Sequence, residues 1–121
     1  MLHDIGKIYI PVDILNKKGR LTEKEYEIIK KYTLYGYFLI NEFGEFNQEV
    51  KRAVLFHHER CDSLGYPLNA SPDYVGVISQ IVAVADVYDA MTTDRVYKKA
   101  SSPFEVIKFL STDGMKVLKR C

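Results

Sequence analysis

The sequence predicts an all-α fold on three observations. Apolar residues recur at three- and four-residue spacing over two successive segments, two helix-start signatures stand in the chain, and its longest apolar run exceeds a single strand. The first helix runs from Thr22 to about Asn41. Thr22 followed by Glu25 forms a capping box, in which hydroxyl and carboxylate satisfy amides that the first turn leaves unbonded. Behind it Ile28, Ile29, Tyr32, Tyr35, Leu39 and Ile40 share one face. Gly44 ends this helix. A second, from Phe46 to His58, aligns Val50, Ala53, Val54 and His57 and finishes in two histidines.

Residues 60–73 contain Gly65, Pro67 and Pro72 without periodicity and read as a long loop. The segment from Tyr74 to Thr92 is apolar around nearly its whole circumference, which predicts a helix at the centre of the core. Its β-branched content makes a strand the competing reading, set aside because the run is too long for one strand in so small a domain. Ser102-Pro103-Phe104-Glu105 joins an N-cap, a proline at the first helical position and a capping-box glutamate, starting a last helix that reaches about Ser111.

The chain has 121 residues, long enough for a core without disulfide or metal staples, so one domain over residues 1–121 is expected. Seventeen Lys and Arg against sixteen Asp and Glu leave a net charge of +1. That balance supplies no global drive toward DNA or an anionic membrane, and any phosphate recognition must be local. No apolar run reaches the ~18 residues of a membrane span, and the start Met1-Leu2-His3-Asp4 lacks a signal-peptide pattern, so a cytoplasmic location is expected. Cys61 and Cys121, without CxxC spacing, read as reduced thiols.

Three polar clusters stand where a plain helical protein would place apolar side chains. They are His3-Asp4 with Gly6 and Lys7, His57-His58-Glu59, and Asp86 with Asp89 inside the most apolar helix. A carboxylate on a buried helix is costly unless a cation, a metal or several donors meet it. Asp86 and Asp89, three apart, project from one side. Imidazoles and carboxylates together are the donor set of Zn, Mn or Fe. Each histidine taken singly reads more readily as a hydrogen-bonded core residue, while Asp86 taken alone reads equally well as a capped or salt-bridged acid and as a ligand. The coincidence of three clusters favours a metal in a helical core.

His3-Asp4-Ile5-Gly6-Lys7, His57-His58-Glu59-Arg60-Cys61-Asp62, Gly65-Tyr66-Pro67 and Ala85-Asp86-Val87-Tyr88-Asp89-Ala90-Met91-Thr92, with Arg95 and Tyr97, resemble the HD-GYP family, a branch of the HD metal-dependent phosphohydrolases. The motifs occur in family order over nearly the whole chain. The resemblance implies an HD-domain-like helical bundle and hydrolysis of the bacterial messenger cyclic di-GMP. It implies two ions where the site is intact, iron or manganese favoured, with an ion-free truncated form as the alternative. His3 and Asp86 look like ligands of one metal, Asp4 like a bridging carboxylate, and His57 and His58 like ligands of the neighbouring metal. Lys7 looks like the lysine that meets the scissile phosphate, so Asp4 and Lys7 are the expected catalytic pair. Tyr66 resembles the residue that stacks on a guanine, while Arg95 and Lys98 match positions that hold the ligand's phosphate; without the resemblance all three read as ordinary surface or packing residues.

The chain departs from the family pattern in three respects. Tyr32 stands where the family carries a histidine ligand, which is expected to weaken or alter the second metal site, since a phenol ligates well only when deprotonated. Ser63 replaces a glycine of the loop signature, which is expected to shift the loop. The family's N-terminal helices are missing, so the domain is expected to be partial. A second copy of the chain is an expected cover for the open face, and a sensory or receiver domain is expected upstream. The alternative to an enzyme is a noncatalytic module that binds a cyclic dinucleotide or a protein partner.

Overall fold

The computed structural model describes residues 2–94 and 98–114, and these are helical without a β-strand among them. A 3₁₀ helix, Leu2–Tyr9, comes first, followed by a single turn, α1, at Val12–Leu15. The helix expected from Thr22 is present but divided into α2, Glu23–Lys30, and α3, Tyr32–Phe43. Thr22 and Glu25 form the reciprocal capping box. The division falls at Lys31, whose amide is shared between the carbonyls of Ile28 and Ile29 at ψ −14°, a local tightening toward 3₁₀ geometry.

Helix α4, Gln48–Phe56, is capped by the Asn47 side chain on the Val50 amide and closes on His57. The long loop is interrupted by a further turn, α5, Pro72–Val75, and Gly76 at φ +77° separates it from α6, Val77–Thr92. A positive φ is strained for residues with a Cβ, so glycine fits the corner that turns the chain into α6. The last helix, α7, Pro103–Phe109, carries its capping box of Ser102 and Glu105 and passes into a π-helical turn, Leu110–Gly114.

The helices pack in sequence of neighbours: the 3₁₀ helix lies on α3, α3 on α4, α4 on α6, and α6 on α7. Ile10, Tyr32, Ile40, Val54 and Val106 are buried between them. The crossing of the 3₁₀ helix and α3 is close enough that a Cβ on Gly6 would lie 1.7 Å from the Tyr32 carbonyl oxygen. Only glycine permits that approach, and it seats the His3-Asp4 pair against the start of α3.

Helix α6 corrects one expectation. It is not the centre of the core: Ser79 and Ala83 are its buried residues, whereas Val77, Ile78, Ile81 and Val84 are exposed. Its apolar circumference exceeds what α4 and α7 cover. The remaining face forms, with Val50 and Val54 of α4, one wall of an open groove of about 670 Å³. Cys61 corrects another, being disulfide-bonded rather than a reduced thiol. Among the described residues no helix is long and apolar enough to cross a membrane.

Candidate metal centre

At one end of that groove, side chains from three separate segments meet. His3 and Asp4 come from the 3₁₀ helix, His57 and His58 from the C-terminal end of α4, and Asp86 from α6. Ligand atoms of His3, His57 and Asp86 all lie within 4.8 Å of one another. His3 Nε2 stands 3.6 Å from Asp4 Oδ2 and 3.5 Å from Asp86 Oδ1, and His58 Nε2 stands 3.9 Å from Asp86 Oδ2. These separations exceed hydrogen-bond length, yet they bring the five groups into one cluster. Asp89 lines the same groove one turn further on, exposed.

In a 3₁₀ helix residues three apart eclipse one another, which explains why Lys7 Nζ reaches Asp4 Oδ2 at 3.0 Å. Burial alone would raise the Asp4 carboxyl. The hydrogen bond and charge of Lys7, with His3 and His57 behind them, outweigh it and hold the group below its ordinary value. Asp4 Oδ1 is buried and has no hydrogen-bond partner among the described residues. A carboxylate oxygen without a donor is costly in a protein interior, and a cation is the partner its chemistry calls for.

His57 is fixed by its position at the end of α4. Its Nδ1 lies 3.1 Å from the Ala53 carbonyl, which also accepts from the His57 amide, and 3.0 Å from that of Val54, both in the last turn of α4. Carbonyls only accept, so Nδ1 carries the proton and Nε2 presents its lone pair. Burial pushes His57 down to about 4, with His58 and His3 acting in the same direction, so the ring is neutral at pH 7. Burial likewise lowers His58, although Asp86 and Asp4 pull the other way.

Tyr32, the first residue of α3, is 2% exposed and points inward, its hydroxyl 2.8 Å from His57 Nε2 and 2.6 Å from His58 Nε2. A hydroxyl has one proton. It donates to the His57 lone pair and therefore accepts from His58, which places a proton on His58 Nε2. Burial, then Tyr66, Asp4 and Asp86, push the phenol far up, so it stays an O–H. Lys7 Nζ lies over the Tyr32 ring, 5.1 Å from its centre.

Two contacts at the site were not expected from sequence, that of Tyr66 with His58 and those of Glu59 with the loop. Tyr66 stacks on His58, with ring centres 4.6 Å apart and planes 16° from parallel. Buried Glu59 accepts from the amides of Leu68, at 2.6 Å, and Ala70, at 3.1 Å, tying the loop to the end of α4. The available signal for Glu59 was an acid directly after the histidine pair, at the entrance to a Gly- and Pro-containing loop. Ser63 sits in that loop at φ +57°, in the left-handed region that glycine enters freely. Lys98 is exposed on the segment after α6, and Arg95 lies outside the described residues.

A family model described as HD domain matches residues 1–115 of the chain. Among curated proteins, a cyclic di-GMP phosphodiesterase of Pseudomonas aeruginosa is 38% identical over 108 residues, covering 89% of this chain and 26% of the relative. A cyclic di-GMP phosphodiesterase response regulator of Xanthomonas campestris pv. campestris is 42% identical over 102 residues, 82% of this chain and 26% of the relative. A 3′3′-cGAMP-specific phosphodiesterase of Vibrio cholerae is 39% identical over 98 residues, 80% of this chain and 19% of the relative. The chain thus spans about a quarter or less of the length of these relatives.

Proposed function

The chain belongs to the HD domain family, and on that premise we propose that it is a metal-dependent phosphodiesterase that opens a cyclic dinucleotide, with cyclic di-GMP as the first substrate to test. The observation that carries the reading is the convergence of His3, His57 and Asp86 from three segments, with the unbonded Asp4 oxygen beside them. The names of the relatives supply the substrate class, cyclic di-GMP or 3′3′-cGAMP.

The donor set fits a divalent ion of the iron or manganese kind. His3, His57 and Asp86 would hold it, with the Asp4 carboxylate beside them. A divalent cation at such a site polarises a phosphoryl oxygen and makes water a competent nucleophile near neutral pH.

The chain's own groups then have definite tasks. Asp4, kept ionised by Lys7, offers a negative oxygen at the centre. Lys7 brings an ammonium to the same edge, where it can meet a phosphate oxygen of the scissile diester. His57 keeps its lone pair aimed inward because its other nitrogen is tied to α4. Tyr66 lines a pocket of about 400 Å³ with Tyr26, Lys30 and Lys31, a combination of aromatic faces and cations suited to a base and its phosphate. Lys98 and Arg95 remain proposed as further phosphate contacts.

The test is turnover of cyclic di-GMP and of 3′3′-cGAMP by purified protein supplied with Mn²⁺ or Fe²⁺, followed by separation of the nucleotides. Ring opening that stops on adding chelator is the expected result. Binding of either dinucleotide without turnover would replace the enzyme with a noncatalytic module, and neither binding nor turnover would refute the proposal.

A further inference from the structure

We propose that this chain holds one divalent ion, at His3, His57 and Asp86, and that the Tyr32 hydroxyl occupies the place beside His57 and His58 where a second ion would otherwise sit. The inference rests on the metal-centre reading above and goes beyond it in assigning the number of ions and the residue that sets it.

The argument is one of donors and space. An ion bound to an imidazole stands ~2.0–2.2 Å from a nitrogen that has lost its proton. The Tyr32 oxygen already stands 2.6 Å from His58 Nε2, which donates its proton there. The phenol cannot swing aside readily. It is almost fully buried, both imidazole rings meet it edge-on at 5.8 and 5.7 Å, and Lys7 covers its face. Behind His58, the Tyr66 ring closes the other side by stacking.

His57 is in a different position. Its Nε2 accepts a proton from Tyr32, so an ion arriving there from the His3 and Asp86 side displaces one hydrogen bond and no proton. The Tyr32 oxygen continues to accept from His58 Nε2. One imidazole of the pair is thereby available for coordination and the other is retained as a donor. Tyr32 thus acts as a positioning residue for the histidine pair and as a competitor of the ion, and the net value of the bond it gives up, roughly 0.5–1.5 kcal/mol, corresponds to about two- to tenfold in metal affinity.

The experiment counts ions. Protein dialysed against saturating Mn²⁺ is analysed for metal per chain, as wild type and as Tyr32→His, and Mn²⁺ affinity is measured for wild type and Tyr32→Phe, which keeps the ring and deletes the hydroxyl. One ion in the wild type, two in Tyr32→His, and affinity raised several-fold in Tyr32→Phe are expected. Imidazole ¹⁵N spectra of the metal-free wild type should show a proton on His57 Nδ1 and on His58 Nε2, a readout independent of loading and of turnover.

Two ions in the wild type would overturn the inference while leaving the metal centre standing. No ion at saturation would remove the metal centre, and the inference with it. An unchanged or lower affinity in Tyr32→Phe would show that the hydroxyl does not compete, and would overturn the inference even if Tyr32→His failed to fold.

Discussion

Replacing Asp86 by alanine separates a metal ligand from a structural acid. The Asp86 oxygens lie 3.5 Å from His3 Nε2 and 3.9 Å from His58 Nε2, too far for hydrogen bonds, and the side chain is 30% exposed on the groove wall. Burial keeps His58 below its ordinary value, so little positive charge faces Asp86 from that side at neutral pH. In metal-free protein the substitution should therefore cost less than about 1 kcal/mol, the size of an exposed pair. With an ion present at about one hundred times its dissociation constant, mass action stabilises the wild type by about 2.7 kcal/mol. For a domain of this size that corresponds to a rise in Tm on the order of 10 °C. The variant should lose nearly all of it. Thermal melts of both proteins in EDTA and in Mn²⁺ provide the assay: the curves should coincide in EDTA and separate in Mn²⁺. A variant that keeps the metal-dependent rise would refute the ligand assignment. A variant that in EDTA is already destabilised by ~3 kcal/mol or more would instead identify Asp86 as one partner of a structural ion pair.

Acid should destabilise the metal-free fold through His57. Its ordinary value of 6.5 falls to about 4 in the folded protein, so the unfolded chain binds the proton more readily. The stability this gives is present above pH 6.5 and is lost as pH falls toward 4, by about 2 kcal/mol between pH 7 and pH 5. Urea titrations at the two pH values measure it, and equal midpoints would contradict the assignment. Ser63→Gly should raise stability by about 0.5–1 kcal/mol, because relief of a left-handed serine exceeds the extra freedom that glycine brings to the unfolded chain; a lower urea midpoint would show that the serine side chain contributes more than its backbone costs. Gly6→Ala places a Cβ 1.7 Å from the Tyr32 carbonyl oxygen and 2.5 Å from the Gly36 nitrogen, backbone atoms that cannot yield locally. A loss of about 2 kcal/mol or more, with weakened metal uptake as His3 is carried away, is expected in melts and dialysis.

Signals confined to a few neighbouring residues were legible. The capping boxes at Thr22 and Ser102 appear as reciprocal hydrogen bonds, and of the expected stripe Tyr32 and Ile40 are buried, whereas Ile28 is exposed. The divided helix at Lys31 was not, because the tightening lies in backbone angles, and sequence periodicity runs through it unchanged. The outward face of α6 was misread for a related reason: apolar residues on every side announce that a helix can be covered, and which neighbours are present decides whether it is. At the site, the histidines and aspartates were visible as residue types out of place in apolar segments. Their mutual distances, the Tyr32 bond to both imidazoles and the Tyr66 stack depend on how segments far apart in the chain cross, which a linear pattern does not encode.

The 3₁₀ helix Leu2–Tyr9 packs on α3 and carries two of the proposed metal-site residues, so what ties it to α4 and α6 decides how completely the centre is assembled. An ion shared by His3, His57 and Asp86 would work as a reversible clasp, joining that segment to α4 and α6 across a loop of roughly eighty residues. Loaded, residues 2–9 could exchange their amide hydrogens only when the whole clasp lets go. Stripped of metal, that segment is held to the bundle chiefly by its packing on α3, and its amides should exchange faster. The abundance of the ion in the cell would then set how often the groove has its floor, well before any substrate arrives.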